Sequence, residues 1–289
     1  MLRFFLVALF FCPSIWALDT VIYPRPVVEG DVRFAAYVKV LKAALDETQS
    51  DFGDYELRHA PHAMSEARYM KELALERSQL SVAWSGATYI DVASLHAIKA
   101  PIAKGLLSYH FFLVHQRNMQ AFSKITSITD LQKLRSAHAH GWGDSLVFDN
   151  AELPYLESGY NGIFDLLQHG RIDYLSRGLT EVLDELKARR ESHPSIRVEP
   201  SLMLFYPWPY YFYVNRNNTA LEKRLQIGMQ RIRESGEHDN IIQYCFAEEL
   251  AMFKLAGRRV LHLQNPWMDD NWQAECPGCW YVADGLQAD

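Results

Sequence analysis

Apolar positions along this chain alternate between short β-branched or aromatic runs and segments with helical spacing. Thr20–Tyr23 is a β-branched run closed by Pro24 and Pro26, the signature of a strand. Val32–Leu45 then carries Phe34, Tyr37, Val38, Leu41 and Leu45 at helical intervals. Tyr55–Arg58 reads as a second strand and Ser65–Arg77 as a second helix. Leu80–Trp84 reads as a third, buried strand that ends in Ser85-Gly86. Gly105–His115 is a long apolar stretch, too β-rich for a surface helix. A short helix follows over Ile128–Leu134, capped by Ser127 or Thr129, and then a small strand over Ser136–Ala139. A helix begins at Ser145, a strand covers Tyr155–Glu157 and a helix covers Gly162–Gln168. Arg171–Leu175 is predicted as a strand and Thr180–Arg190 as a polar amphipathic helix. A second extended stretch, Leu202–Val214, is interrupted by Pro207 and Pro209. Helices are predicted over Thr219–Ser235 and Asn240–Leu255, a last strand in Gly257–Leu263, and a loop-like tail beyond Pro266.

This alternation predicts an α/β fold. The two long extended stretches are best explained as paired crossover strands that form a hinge between two lobes. Lobe 1 is then discontinuous, 18–107 and 208–265, lobe 2 is 108–207, and 266–289 is a C-terminal tail. A ligand cleft is expected between the lobes at the carboxyl ends of strands.

Composition adds the compartment. Residues 1–17 read as a cleaved signal peptide: Arg3 is the positive start, Phe4–Cys12 the apolar run, Pro13 and Ser14 the break and Ala17 the small residue at the cut. The run is too short for a spanning helix, which needs about 20 apolar residues. Export to the periplasm follows. The formal net charge of −6 carries no electrostatic footprint for nucleic acid. With 49% hydrophobic and 13% aromatic residues, the chain has a core to bury and is not disordered. Cys276 and Cys279, spaced as Cys-Pro-Gly-Cys, sit in a tail without periodicity. A local disulfide between them, or a pairing with Cys245, fits an oxidising compartment better than a zinc or redox site.

Several blocks carry a family likeness: Thr126–Leu134 (TSITDLQKL), His138–Ser145 (HAHGWGDS), His169–Tyr174 (HGRIDY) and Met229–Ile242 (MQRIRESGEHDNII). By their order and spacing, over about Leu18 to Leu263, the chain resembles the extracellular solute-binding proteins of family 3, in a poorly characterised bacterial branch. The resemblance implies a two-lobed type II periplasmic binding fold, a small-molecule ligand, a monomer, and a partner that is an ABC-type permease or a membrane sensor. It implies no cofactor. Two departures stand out. The amino-acid receptors of the family carry an arginine shortly after the third strand to clamp the ligand carboxylate, whereas Trp84–Asp91 (WSGATYID) has none. They also carry an aspartate after the lobe-two strand, where this chain has Ser176-Arg177-Gly178.

Within that frame, Trp142, Gly143, Asp144 and Ser145 are candidates for one cleft wall. Glycines before a helix free backbone N–H groups for an anion, although a tight turn with a caged Trp and an Asp144 N-cap explains the same residues. His138 and His140 alternate like strand residues, but no third metal ligand accompanies them. Arg177 either clamps a ligand carboxylate or phosphate, or forms an internal salt bridge to Asp144 or Asp173. Arg25 is the other candidate clamp. Tyr23, Trp84, Ser85 and Gly86 are candidates for the opposite wall, and Tyr109, Tyr206 and Trp208 for the hinge lining. The Arg- and Glu-rich run Glu181–Glu191 reads as a solvated helix face. The expected function is capture of a small polar solute, anionic if Arg177 clamps it. The alternatives are a protein-interaction module that has lost its ligand, and a dehydratase-like enzyme using Asp91 or Asp144. The chain holds no G-x-S-x-G, no H-E-x-x-H, no P-loop and no G-x-G-x-x-G motif.

Overall fold

The computed structural model describes residues 18–25, 34–89, 92–253, 257–269 and 271–281. The leader read over residues 1–17, and Asp91, lie outside them. The first elements in chain order are β1 (Asp19–Arg25), α1 (Ala35–Asp46), α2 (Gln49–Phe52), β2 (Tyr55–Ala63), α3 (Glu66–Leu73), β3 (Val82–Ser85) and β4 (Leu95–Ile98). Then come β5 (Tyr109–His115), α4 (Met119–Phe122), α5 (Ile128–Leu131), β6 (Ser136–Ala139), α6 (Ser145–Asn150) and β7 (Tyr155–Ser158). Next are α7 (Tyr160–Gln168), β8 (Tyr174–Gly178), α8 (Leu179–Arg189), β9 (Ile196–Phe205) and β10 (Tyr211–Asn215). The chain closes with α9 (Thr219–Glu234), α10 (Glu237–Cys245), α11 (Ala247–Phe253) and β11 (Arg259–His262).

The strands fall into two groups. In the first, β1 pairs in parallel with β2, and β10 lies between β3 and β4, antiparallel to both, with Phe212 opposite Trp84 and Ile98. Helix α1 buries Tyr37, Val40, Leu41, Ala44 and Leu45, an i, i+3, i+4, i+7, i+8 stripe that packs on α9. The crossing is close: a Cβ at Gly228 of α9 would stand 2.1 Å from the Ala44 carbonyl oxygen, so only glycine fits. In the second group the order is β11-β9-β5-β8, and β6 pairs in parallel with β7.

The chain passes from one group to the other over residues 99–108 and returns over 206–210. These passages are tied together. Trp208 N donates to Ser108 Oγ at 2.9 Å and Ile102 N to the Tyr210 carbonyl at 2.9 Å. As expected of the crossovers, β5 and β9 pair antiparallel, Tyr109 opposite Phe205.

The interruption expected of Leu202–Val214 at Pro207 and Pro209 is present: β9 ends at Phe205 and β10 starts at Tyr211, because neither proline has an N–H to continue a ladder. Other expectations are corrected. The helix over Asn240–Leu255 breaks at Phe246 into α10 and α11. Strand β4, Leu95-His96-Ala97-Ile98, is an element that the sequence reading lacks. Finally, β11 was assigned with 208–265 to lobe 1, yet it pairs with β9 in the second group, Leu261 opposite Leu204. Its Leu261 and Leu263 are buried against that cluster.

The tail covers the outer side of the two passages. Cys276 and Cys279 form a disulfide and Cys245 is free, which resolves the open pairing. Arg233 Nη1 donates to both sulfurs at 2.6 Å. Tyr281 N donates to the Lys104 carbonyl at 2.7 Å, and Asn265 Nδ2 to the Pro207 carbonyl at 2.7 Å.

Candidate functional site

A cavity of about 420 Å³ lies between the two groups, bordered by both. That size suits a small molecule. Strand ends and helix starts supply its walls, as side chains there escape the ladder and point across a gap.

The first wall is built on α3 and β3. Glu66 opens α3, and its carboxylate accepts from Ser85 Oγ, from Tyr210 Oη at 2.9 Å and from the Gly86 N–H. Three donors and no acceptor form the hydrogen-bond set of an ionised carboxylate. Burial nevertheless pushes its pKa up, and the charge of Asp144 across the gap adds to the rise. Trp84 borders the cavity 2% exposed, its ring among Tyr23, Phe34 and Tyr37, and its Nε1 without a partner. Trp208 closes the wall by lying over Gly86, where a Cβ would meet its ring at 2.7 Å.

The second wall is built on β8, α8 and the turn from β6 into α6. Arg177 is buried in β8, one residue before its end. It donates Nε and Nη2 to Glu185 at 2.7 and 2.8 Å, and Nη2 also meets Glu181 at 2.8 Å. Its guanidinium lies 4.3 Å over the Trp142 ring. Burial opposes its charge, but Glu181 and Glu185 outweigh burial and hold its pKa well above the ordinary value. Tyr160 Oη donates to Glu185 at 2.7 Å. The pair belongs to neither Asp144 nor Asp173, the partners anticipated from sequence. The run Glu181–Glu191 is correspondingly not all solvated: Glu181 and Glu185, one turn apart on α8, face inward because a buried guanidinium requires carboxylates.

A hydrogen-bond chain joins this wall to the passages. Tyr206 Oη donates to Asp144 Oδ2 at 3.1 Å and lies 3.2 Å from His110 Nδ1, the two rings stacked at 4.2 Å. Asp144 makes no side-chain N-cap bond. Burial, reinforced by the charges of Arg177 and His138, keeps the His110 pKa well below its ordinary value, so the ring is neutral.

The sequence candidates divide accordingly. Arg25, Trp84, Trp142, Gly143, Asp144, Arg177 and Trp208 border the cavity. Tyr23 sits behind Trp84. Ser85 and Gly86 are turned to Glu66 and to the Tyr213 hydroxyl. Ser145 faces His138 Nδ1 at 2.8 Å, away from the cavity. Tyr109 is corrected outright: its hydroxyl bonds the Tyr281 carbonyl in the tail at 3.0 Å. Tyr206 acts from behind, through Asp144 and His110. Glu66, His110, Glu181 and Tyr210 escaped sequence reasoning. Glu66 looked like an ordinary acidic first turn, and His110 was hidden in an apolar strand. Among the described residues no group of three or more His, Cys, Asp or Glu is placed to hold a metal ion, and no helix is long and apolar enough to cross a membrane.

No protein-family model and no curated protein sequence matches the chain. Solved structures do. An ancestral arginine-binding protein bound to arginine aligns over 79% of this chain and 98% of its own, with a TM-score of 0.55 and 14% identity. An amino-acid ABC transporter substrate-binding protein from Streptococcus pneumoniae, bound to L-arginine, aligns over 79% and 93%, with a TM-score of 0.52 and 14% identity. The GluR0 ligand-binding core in complex with L-glutamate aligns over 81% and 99%, with a TM-score of 0.54 and 14% identity. The chain therefore has the two-lobed type II periplasmic binding fold, its two strand groups being the lobes. These neighbours are binding proteins.

Proposed function

We propose that this protein captures a small polar solute between its lobes and presents it to an ABC-type permease or a membrane sensor, without transforming it. The observation that carries the reading is the open cavity bordered by both lobes, with Trp84, Trp142 and Trp208 as walls and charged groups between them. An interaction module that had lost its ligand would instead fill this space with its own side chains. The structural neighbours, which bind arginine, glutamine or glutamate, support the same role. The apolar run after Arg3 supports export with removal of residues 1–17, hence a periplasmic site of action. A single chain supplies both walls, in keeping with a monomer. An anionic solute is disfavoured, because Arg177 already spends its fork on Glu185 and Glu181.

Thermal shift and tryptophan fluorescence across amino acids, amides, amines, dicarboxylates and sugars test the proposal. A true solute at 100 times its Kd adds about 2.7 kcal/mol to stability. The shift should vanish in Trp142→Ala. Flat profiles from folded protein across all classes would discard solute capture.

A further inference from the structure

We infer that the solute is a cation rich in N–H donors, an amine or guanidinium compound without a free carboxylate, held between Glu66 of one lobe and His110 Nε2 of the other. The inference rests on the solute-capture reading and specifies its ligand.

Proton accounting on the second wall carries the argument. A tyrosine hydroxyl has one proton. Tyr206 gives it to Asp144, so its oxygen must accept from His110, whose Nδ1 therefore carries the ring proton. In a neutral imidazole the other nitrogen is then a lone-pair acceptor. His110 is 2% exposed and borders the cavity, and its Nε2 is buried with no hydrogen-bond partner among the described residues. A buried acceptor without a partner is costly, and a ligand N–H removes the cost. Low-lying pKa of the ring, set by burial, agrees with the neutral form.

Charge points the same way. Among the described residues Glu66 meets neutral donors only, and no cation is paired with it. It also feels the repulsion of Asp144 from the other lobe, which a cation between them would turn into attraction. On the positive side, Arg177 is committed to two carboxylates. Arg25 stands exposed at the rim with Nη1 on the Pro61 carbonyl at 3.1 Å. No buried cation bordering the cavity is thus left over for a ligand carboxylate among the described residues. One donor, Trp84 Nε1, is unpaired, and a single neutral acceptor such as an amide carbonyl satisfies it.

Titration calorimetry of the purified protein with arginine, arginine amide, lysine amide and succinate tests this. The amides should bind at least about tenfold more tightly than arginine, the factor expected of one unsatisfied carboxylate. Glu66→Gln should lower amide affinity by about tenfold or more, as loss of one charge-assisted hydrogen bond does. Tyr206→Phe, in which His110 is free to change tautomer, should narrow the amide-to-acid ratio, a change that general loosening would not produce. Circular dichroism melts identify any variant that fails to fold, and Glu66→Asp then takes its place with an affinity between the two. Arginine equal to or tighter than its amide, succinate as the tightest ligand, or an unchanged Glu66→Gln affinity would each overturn the cation and leave solute capture standing. Silence of every compound class would remove both.

Discussion

The two walls of the cavity treat buried charge in opposite ways. On the second wall the cation is neutralised within the protein: Arg177 sits among Glu181, Glu185 and the Trp142 face. On the first wall the carboxylate of Glu66 has, among the described residues, only neutral donors: Ser85, Tyr210 and the Gly86 N–H. A charge paired within the protein is structural, because its partners are present with or without a ligand. A charge left with neutral donors keeps an attraction to spend on a ligand. The difference teaches that the most conspicuous ion in a cleft is not necessarily the one that reads the solute.

The largest effect should come from breaking the second wall. Arg177→Met removes the cation from its buried pair with Glu185, and loss of one partner from a buried pair costs about 3–5 kcal/mol. Urea unfolding measures it; a cost under about 1 kcal/mol would mean that the pair is solvated and the contrast between walls is wrong. On the first wall, Tyr210→Phe removes one hydrogen bond to a charged group and should cost about 1.5–3 kcal/mol. A cost equal to that of Arg177→Met would erase the distinction.

Acidification is the mildest probe, and it pulls the walls in opposite directions. His110 and His138, beside the second wall, have pKa values lowered first of all by burial. Unfolded histidine takes up protons near 6.5 while the native rings stay neutral, so stability is lost as pH falls below 6.5. His238, buried under Ile102, acts in the same sense. Glu66 is raised by burial, so the native state binds its proton first and gains stability as pH falls through the native pKa toward 4.5. Melting curves from pH 7 to 5 should show a net fall. In Glu66→Gln the opposing gain is absent, and the fall should be steeper. A shallower fall in that variant would contradict the assignment of an ionised Glu66.

How much of this was legible depends on the range of the interactions. The α/β alternation, the paired β5 and β9, the polar helix α8 and the turn at Gly141–Asp144 were visible because they are local patterns of period two or 3.6. Trp142, Asp144 and Arg177 were singled out because Gly residues next to a strand or helix end mark places where side chains leave the ladder. Their roles were another matter. Arg177 was expected to meet the ligand or a nearby Asp, but Glu185 reaches it because β8 and α8 adjoin through Gly178, which sets carboxylates eight and four residues on against the guanidinium. Glu66 and Tyr210 are 144 residues apart, and no local pattern announces their bond.

The amino-acid sequence by itself determined the class of fold, the presence of two long extended stretches that pair and the aromatic and charged stock of the cleft, since periodicity and turn chemistry are written residue by residue. Tertiary structure alone decided which buried charge is paired within the protein and which meets neutral donors. It decided that β11 joins β9, that the tail lies across the two passages, and that Tyr109 faces the tail and not the cavity. These are contacts between distant segments, and they depend on which surfaces burial brings together.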